Sequence, residues 1–207
     1  PGSDLVQRLG DLSFDWLLSI ANLDMLPADL LARAGKGAVN FHDGPLPRYA
    51  GLNAPVWARI AGEARHGITW HLIGGGVDEG DILLHRSFDI APDDTGLTLN
   101  SRCFAEAIDS FPDLVAMLAT GAPQRQRQDL AQRSYFGLYD RPAAAGRLDF
   151  AQPAETLARL VMALDHGDHA NPLCLPKVMT PQGLLAVRAA QAVQGGAGAL
   201  PGTVLQA

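Results

Sequence analysis

Cysteine is scarce in this chain: Cys103 and Cys174 are the only two among 207 residues. Two distant thiols make no disulfide framework, so a reducing, cytoplasmic setting is the expectation. Both sit among apolar neighbours and read as packing residues. Long hydrophobic runs are missing too. The longest, Trp16 to Ile20 around Ser19, is strand-sized and well short of the ~18 residues that read as a membrane helix. There is no excess of positive charge, the formal net charge being −6. A nucleic-acid binder shows a basic face. The one basic cluster, Arg125, Arg127 and Arg133, is spaced by glutamines around Asp129 and reads as a solvated connector. No signal-peptide pattern and no internal repeat is visible. Pro1-Gly2-Ser3 reads as a tag remnant, with the native segment expected from Asp4.

What is present is the composition of a chain that buries a core, with 47% apolar and 18% charged residues,. Phe14 to Ala21 is a short apolar run followed by turn residues, the pattern of a buried strand. Pro27 to Ala34 reads as a short helix with Pro27 in its first turn. Gly37 to His42 reads as a second strand. Strand, helix, strand is the rhythm of a parallel α/β sheet. Asp43 to Asn53 is a Pro- and Gly-bearing loop, and Asn53 is placed to cap a helix starting at Ala54-Pro55. Gly67 to Ile73 and Ile82 to Ile90 read as two more strands. The latter alternates Ile82, Leu84, Phe88 and Ile90 against His85, Ser87 and Asp89. Thr95 to Thr120 has helical periodicity at Phe104, Ala107, Ile108, Phe111, Leu114, Val115 and Leu118. Pro112 inside it predicts a kink or a break. A polar connector follows from Gly121 to Gly146. A helix comes next, with Leu157, Leu160, Val161 and Leu164 on one stripe. The tail reads as strands around Gly195-Gly196-Ala197-Gly198.

Two stretches could carry chemistry. In Asn40-Phe41-His42, alternation puts Asn40 and His42 on one face of a strand, at its carboxyl end. Open α/β sheets place ligands there. The second stretch is Val77-Asp78-Glu79-Gly80-Asp81, after the Gly67–Ile73 strand. Three acids among glycines suit a cation or simply a turn. Taken singly, Asn40 is a common strand-end turn former and His42 a common structural histidine. His71 and His85 read as ordinary strand residues, His85 on an exposed face. His166-Gly167-Asp168-His169 lacks a third ligand and reads as a solvated loop. Glu79 and Asp81 read as serving the turn. For Arg48 and Tyr49, substrate contact and loop structure are equal readings.

The ordered set is more specific than its pieces. Asn-x-His, a Leu-Pro-Arg loop, Gly-Ile-Thr, then Val-Asp-x-Gly-Asp-Ile resembles the folate-dependent formyltransferase family, which includes the methionyl-tRNA, glycinamide ribonucleotide and amino-sugar enzymes. The resemblance runs from about Phe14 to the end, where Pro201-Gly202-Thr203-Val204 looks like the entry to the family's small carboxyl-terminal barrel. The run Asn40 to Ala54, with His66 to His71, looks most like the formylation domains of nonribosomal peptide synthetases. The fold implied is α/β: a truncated Rossmann-like domain over residues 4–120, a connector over 121–150, and a helix with the start of a small β-rich subdomain over 151–207.

The resemblance implies a donor, 10-formyltetrahydrofolate, and three catalytic residues. Asn40 and His42 donate to the formyl oxygen as negative charge develops there. Asp78 holds His42 charged and relays the amine's proton. Ile20, Leu23 and Leu26 would line the pterin pocket, and backbone groups of Gly74, Gly75, Gly76 and Val77 would bond its edge; no metal is implied. The acceptor would be an aminoacyl group on the phosphopantetheine arm of a carrier protein.

Two departures keep other readings open. Family members begin with roughly seventy further residues of strand-helix-strand, a size set by the βαβ unit. Without them, an exposed sheet edge would need covering by a second copy or a neighbouring domain. Gly74-Gly75-Gly76 would also loosen the pterin loop. A non-catalytic structural or docking module of a megasynthetase therefore stands beside the enzyme, and an amino-sugar N-formyltransferase stands as a third reading.

Overall fold

The structure is a computed structural model that describes residue 9 and residues 12–195 and 198–204. Gly196 and Ala197 of the expected glycine turn lie outside the described residues. The chain folds as two compact units interleaved along the sequence: residues 1–51, 67–88 and 103–135 form one, and residues 52–66, 89–102 and 136–207 the other.

The first unit is built on a four-stranded sheet. Strands β1 (Phe14–Ser19) and β2 (Ala34–His42) are parallel and joined through helix α1 (Ala28–Leu31). After the short strand β3 (Ala50–Gly51) and helix α2 (Ala54–Ala61), β4 (Arg65–Leu72) pairs with β2 antiparallel. Strand β5 (Ile82–Asp89) completes the order β1-β2-β4-β5. β1 is thus an edge among the described residues.

Alternation along β2 and β4 separates the core from the site. Val39, Phe41, Ile68 and Trp70 enter one cluster with Leu83 of β5 and with Cys103, Ala107, Leu114 and Leu118. The last four lie on helix α3 (Gly96–Ala119). Trp70 Nε1 also donates to Ser110 Oγ of that helix at 3.0 Å. The intervening residues Asn40, His42, Thr69 and His71 point to the other face, since a strand's side chains change sides at every residue. The pairing Asn40↔His71 and His42↔Thr69 sets them beside one another.

Several expectations are corrected. α3 runs through Pro112 as one helix. Pro112 and Ile108 are both exposed, so the Ile108 carbonyl that loses its helical partner can reach water,. The expected apolar stripe of α3 was too wide. Ala107, Leu114 and Leu118 are buried, whereas Ile108 is 72% and Val115 45% exposed. Only one narrow sector of a helix can face a sheet, and the rest of the stripe has no contact to make. The α1 helix is four residues rather than eight. Asn53 precedes α2 in a left-handed conformation and makes no side-chain cap bond. On β5 the alternation is broken at the start, where adjacent Ile82 and Leu83 are both buried. Ile82 packs with Leu46 and Ala50, and Leu83 with the main core.

In the second unit α2 packs against helix α4 (Ala154–Ala163). Trp57 stacks on Phe136 with ring centroids 4.4 Å apart. Phe136 ends strand β6 (Tyr135–Phe136). A small antiparallel hairpin, β7 (Lys177–Thr180) with β8 (Gly183–Ala186), supplies the expected carboxyl-terminal β structure.

The two sides of α3 should separate in denaturation. Leu114→Ala, at a position with no exposed surface, is expected to lose about 2–5 kcal/mol from the transfer term plus the cavity. Ile108→Ala is expected to change stability by less than about 0.5 kcal/mol. Urea titrations of both variants read the difference. Equal losses would mean that the exposed side is packed in solution.

Candidate active site

Three elements bring the site together within the first unit: the end of β2, the end of β4, and the loop between β4 and β5. Asn40 and His42 come from β2, His71 from β4 and Asp78 from the loop. Asp78 stands at φ 56°, in the left-handed region, which costs a non-glycine residue about 1 kcal/mol or more. The surrounding contacts hold it there. Gln128, buried, donates from Nε2 to the Asp78 carbonyl at 2.8 Å and to the Gly80 carbonyl at 2.6 Å. Arg133 Nη2 donates to the Val77 carbonyl at 2.9 Å, and Arg133 Nε lies 3.6 Å from Glu79 Oε1. Gly80 is required where it stands, because a Cβ there would come within 1.8 Å of the Leu72 carbonyl oxygen.

The Asp78 carboxylate is the hub. Its Oδ2 accepts the Gly51 N–H at 2.8 Å and lies 3.5 Å from His42 Nδ1. Its Oδ1 lies 3.3 Å from His71 Nε2. His42 Nε2 is 2.8 Å from the Tyr49 carbonyl, so that end of the ring donates to the backbone. Asn40 Nδ2 is 3.2 Å from His71 Nε2. His42 and His71 are both buried. Burial by itself would raise the Asp78 carboxyl. The hydrogen bond from His71, the neighbouring His42 and the Gly51 N–H outweigh it and hold the group at about 2. Asp43 Oδ1 lies 3.9 Å from His42 Nδ1; here burial dominates and pushes the carboxyl up. The cluster is therefore an anion set between two imidazoles, with an amide beside it. Such a set can hold an imidazolium, present N–H groups to developing negative charge and accept a proton.

The structure brings Asn40, His42 and Asp78 together. It also corrects three readings. His71 is no ordinary strand residue, since it contacts both Asn40 and Asp78. The signal for it was parity: His71 lies opposite Asn40 once β2 and β4 pair, but that register is not written in either segment alone. The connector is not merely solvated either. Gln128 and Arg133 anchor the Val77–Gly80 loop, and Ser134 Oγ accepts the Tyr49 N–H at 2.7 Å. The triple glycine is not simply slack. Glu79 Oε2 folds back to accept the Gly76 N–H at 3.1 Å, in space a Cβ on Gly76 would fill. The residues implied for the donor lie apart from the core: Ile20 and Leu23 are exposed, Leu26 is half-buried, and Gly74, Gly75, Gly76 and Val77 are exposed. Among the described residues no group of three or more His, Cys, Asp or Glu side chains could hold a metal ion.

A family model described as formyl transferase matches residues 2–115, and the chain belongs to that family of formyl-transferring enzymes. Solved structures share the fold at low identity. A sugar N-formyltransferase from Shewanella sp. FDAARGOS_354 is 24% identical, covering 91% of this chain and 74% of its own, with a TM-score of 0.72. The methionyl-tRNA formyltransferase of Clostridium thermocellum is 21% identical over 88% of this chain and 74% of its own, with a TM-score of 0.66. An N-formyltransferase from Helicobacter canadensis, solved with folinic acid and dTDP-3-aminofucose, is 18% identical over 72% of this chain and 53% of its own, with a TM-score of 0.58.

The depressed Asp78 carboxyl ties stability to pH. A group whose folded pKa lies below its ordinary 3.8 stabilises the fold fully above that value, and its contribution fades as pH falls toward about 2. At neutral pH the contribution is on the order of 2 kcal/mol,. The stability gap between wild type and Asp78→Asn is expected to be full at pH 6 and to shrink between pH 4 and pH 2, read from urea midpoints. A gap that stays constant with pH would show that the carboxylate is not held by these partners.

Proposed function

We propose that the chain moves a formyl group from 10-formyltetrahydrofolate to a primary amine, the acceptor being an aminoacyl group on the phosphopantetheine arm of a carrier protein. The observation that carries this reading is the convergence of Asn40, His42 and Asp78 on one face of the sheet. The amine nitrogen attacks the formyl carbon, a C–N bond forms, and charge gathers on the formyl oxygen. Asn40 supplies an N–H donor near it, while His42, whose two ring nitrogens meet the Tyr49 carbonyl and Asp78, holds the carboxylate in place. Asp78 takes the proton the amine sheds. The adduct collapses with cleavage of the formyl carbon–N10 bond, and that proton goes on to N10 of the departing tetrahydrofolate.

The residues present suit a reduced folate. Exposed backbone from Gly74 to Val77 offers N–H and C=O groups for a pterin edge, and Ile20 and Leu23 offer exposed apolar surface. The Helicobacter canadensis relative is described with folinic acid, a formyl folate. For the acceptor, support comes from the Asn40–Ala54 run, which resembles the formylation domains of peptide synthetases, while the net charge of −6 weighs against tRNA. In the working assembly a neighbouring domain or a second copy covers the open β1 edge. Amino-sugar formylation is the second reading, favoured by the Shewanella relative described as a sugar N-formyltransferase and by the dTDP-3-aminofucose in the Helicobacter canadensis structure. The non-catalytic module is disfavoured by a charged cluster that is fully assembled.

Mass spectrometry of acceptors incubated with 10-formyltetrahydrofolate tests the proposal. An aminoacyl carrier protein is expected to gain one formyl group, and a dTDP-amino sugar none. Asn40→Ala and Asp78→Asn are each expected to lower kcat by about 10²–10³-fold. Formylation of the sugar alone would move the chain to the second reading. No formylation of either, from a folded chain that also fails to bind 5-formyltetrahydrofolate, would leave the non-catalytic module.

A further inference from the structure

The His71 ring is fixed at one end. Its Nδ1 lies 2.9 Å from the Leu72 carbonyl, and a carbonyl can only accept, so Nδ1 carries the proton of that contact. Its Nε2 faces two groups at nearly equal range, Asn40 Nδ2 at 3.2 Å and Asp78 Oδ1 at 3.3 Å. These make opposite demands on one atom. An amide N–H needs a bare Nε2, whereas a carboxylate oxygen needs a protonated one.

The remaining neighbours leave this competition undisturbed. Thr69, on the same face of β4, gives its hydroxyl proton to the Gly44 carbonyl at 2.7 Å and lies 3.4 Å from His85 Nδ1. His42, from β2, meets the opposite oxygen of Asp78, and Asp43 lies beside His42. Among the described residues, Asn40 and Asp78 contend for Nε2.

Each state of Nε2 gives a different site. When Nε2 is protonated, His71 donates to Asp78, and the Asn40 carboxamide can turn its oxygen to the ring and leave both its N–H groups for a ligand. When Nε2 is bare, one Asn40 N–H is spent on the ring and Asp78 loses a donor. We propose that His71 is a positioning residue for formyl transfer, its Nε2 linking the Asp78 carboxylate to the direction in which the Asn40 carboxamide points. The proposal rests on the formyl-transfer reading for its consequence, while the linkage itself stands on geometry.

The test has two arms. ¹⁵N NMR of the histidine rings reads the linkage without any turnover. His71 is expected to show a protonated Nδ1, with an Nε2 signal that shifts in both Asn40→Ala and Asp78→Asn while the His85 signals hold. An Nε2 signal unmoved in both variants overturns the proposal, active enzyme or not. Kinetics read the consequence. His71→Leu is expected to lower kcat by about tenfold or more while the KM for the folate stays within threefold. His71→Gln, whose amide can both accept and donate, is expected to recover most of the loss. His71→Leu with kcat within twofold of wild type overturns the positioning role. A wild-type protein that formylates no amine sinks the proposed function instead, and the NMR arm then decides the linkage alone. Should His71→Leu fail to fold, His71→Gln and the NMR arm decide.

Discussion

The site depends on one carboxylate that is mostly, though not fully, buried. Asp78 is held by a backbone N–H from Gly51 and stands between the rings of His42 and His71. A buried carboxylate without partners would lose several kcal/mol of solvation and protonate instead. With these partners it stays ionised far into acid. It then serves as the fixed negative charge to which both imidazoles orient. The backbone carbonyls of Tyr49 and Leu72 take the far ends of the two rings. Each ring is thereby pinned at both of its nitrogens.

Placing that carboxylate takes work elsewhere in the chain. Asp78 sits in a left-handed conformation on a loop that has no regular structure of its own. The loop is held by Gln128 and Arg133, about fifty positions downstream, and by the close approach of Gly80 to Leu72. Strain at one residue is thus offset by hydrogen bonds from a segment whose composition suggests only a surface connector. The rest of the site needs no strain. β2 and β4 alternate, so Val39, Phe41, Ile68 and Trp70 enter the core while Asn40, His42, Thr69 and His71 are left on the opposite face. The packing that stabilises the sheet also aims the site.

Legibility in the sequence follows the range of the interactions. The alternation of β2, the helix of α3 and the loop after β4 are local patterns, and each was readable. The triad of Asn40, His42 and Asp78 was readable because its spacing and flanking residues form an ordered motif. His71 was not, because its role comes from pairing opposite Asn40, and register is a property of two strands together. Gln128 and Arg133 were not, because polar residues in a Gln- and Arg-rich stretch look the same whether they meet water or a distant carbonyl. The exposed side of α3 was misread because periodicity marks apolar residues without saying which of them the sheet can reach.

By itself the sequence determined the family, the α/β character and the three residues, Asn40, His42 and Asp78, that meet in the candidate site. Those features depend on residue type and short spacing, which the chain carries in every conformation. Only the tertiary structure decided which imidazole meets which oxygen of Asp78, that His71 joins the site, and that a connector segment clamps the loop. Apart from that of His71 with Asp78, those contacts join residues 31 to 56 positions apart, and over such separations the fold alone sets who meets whom.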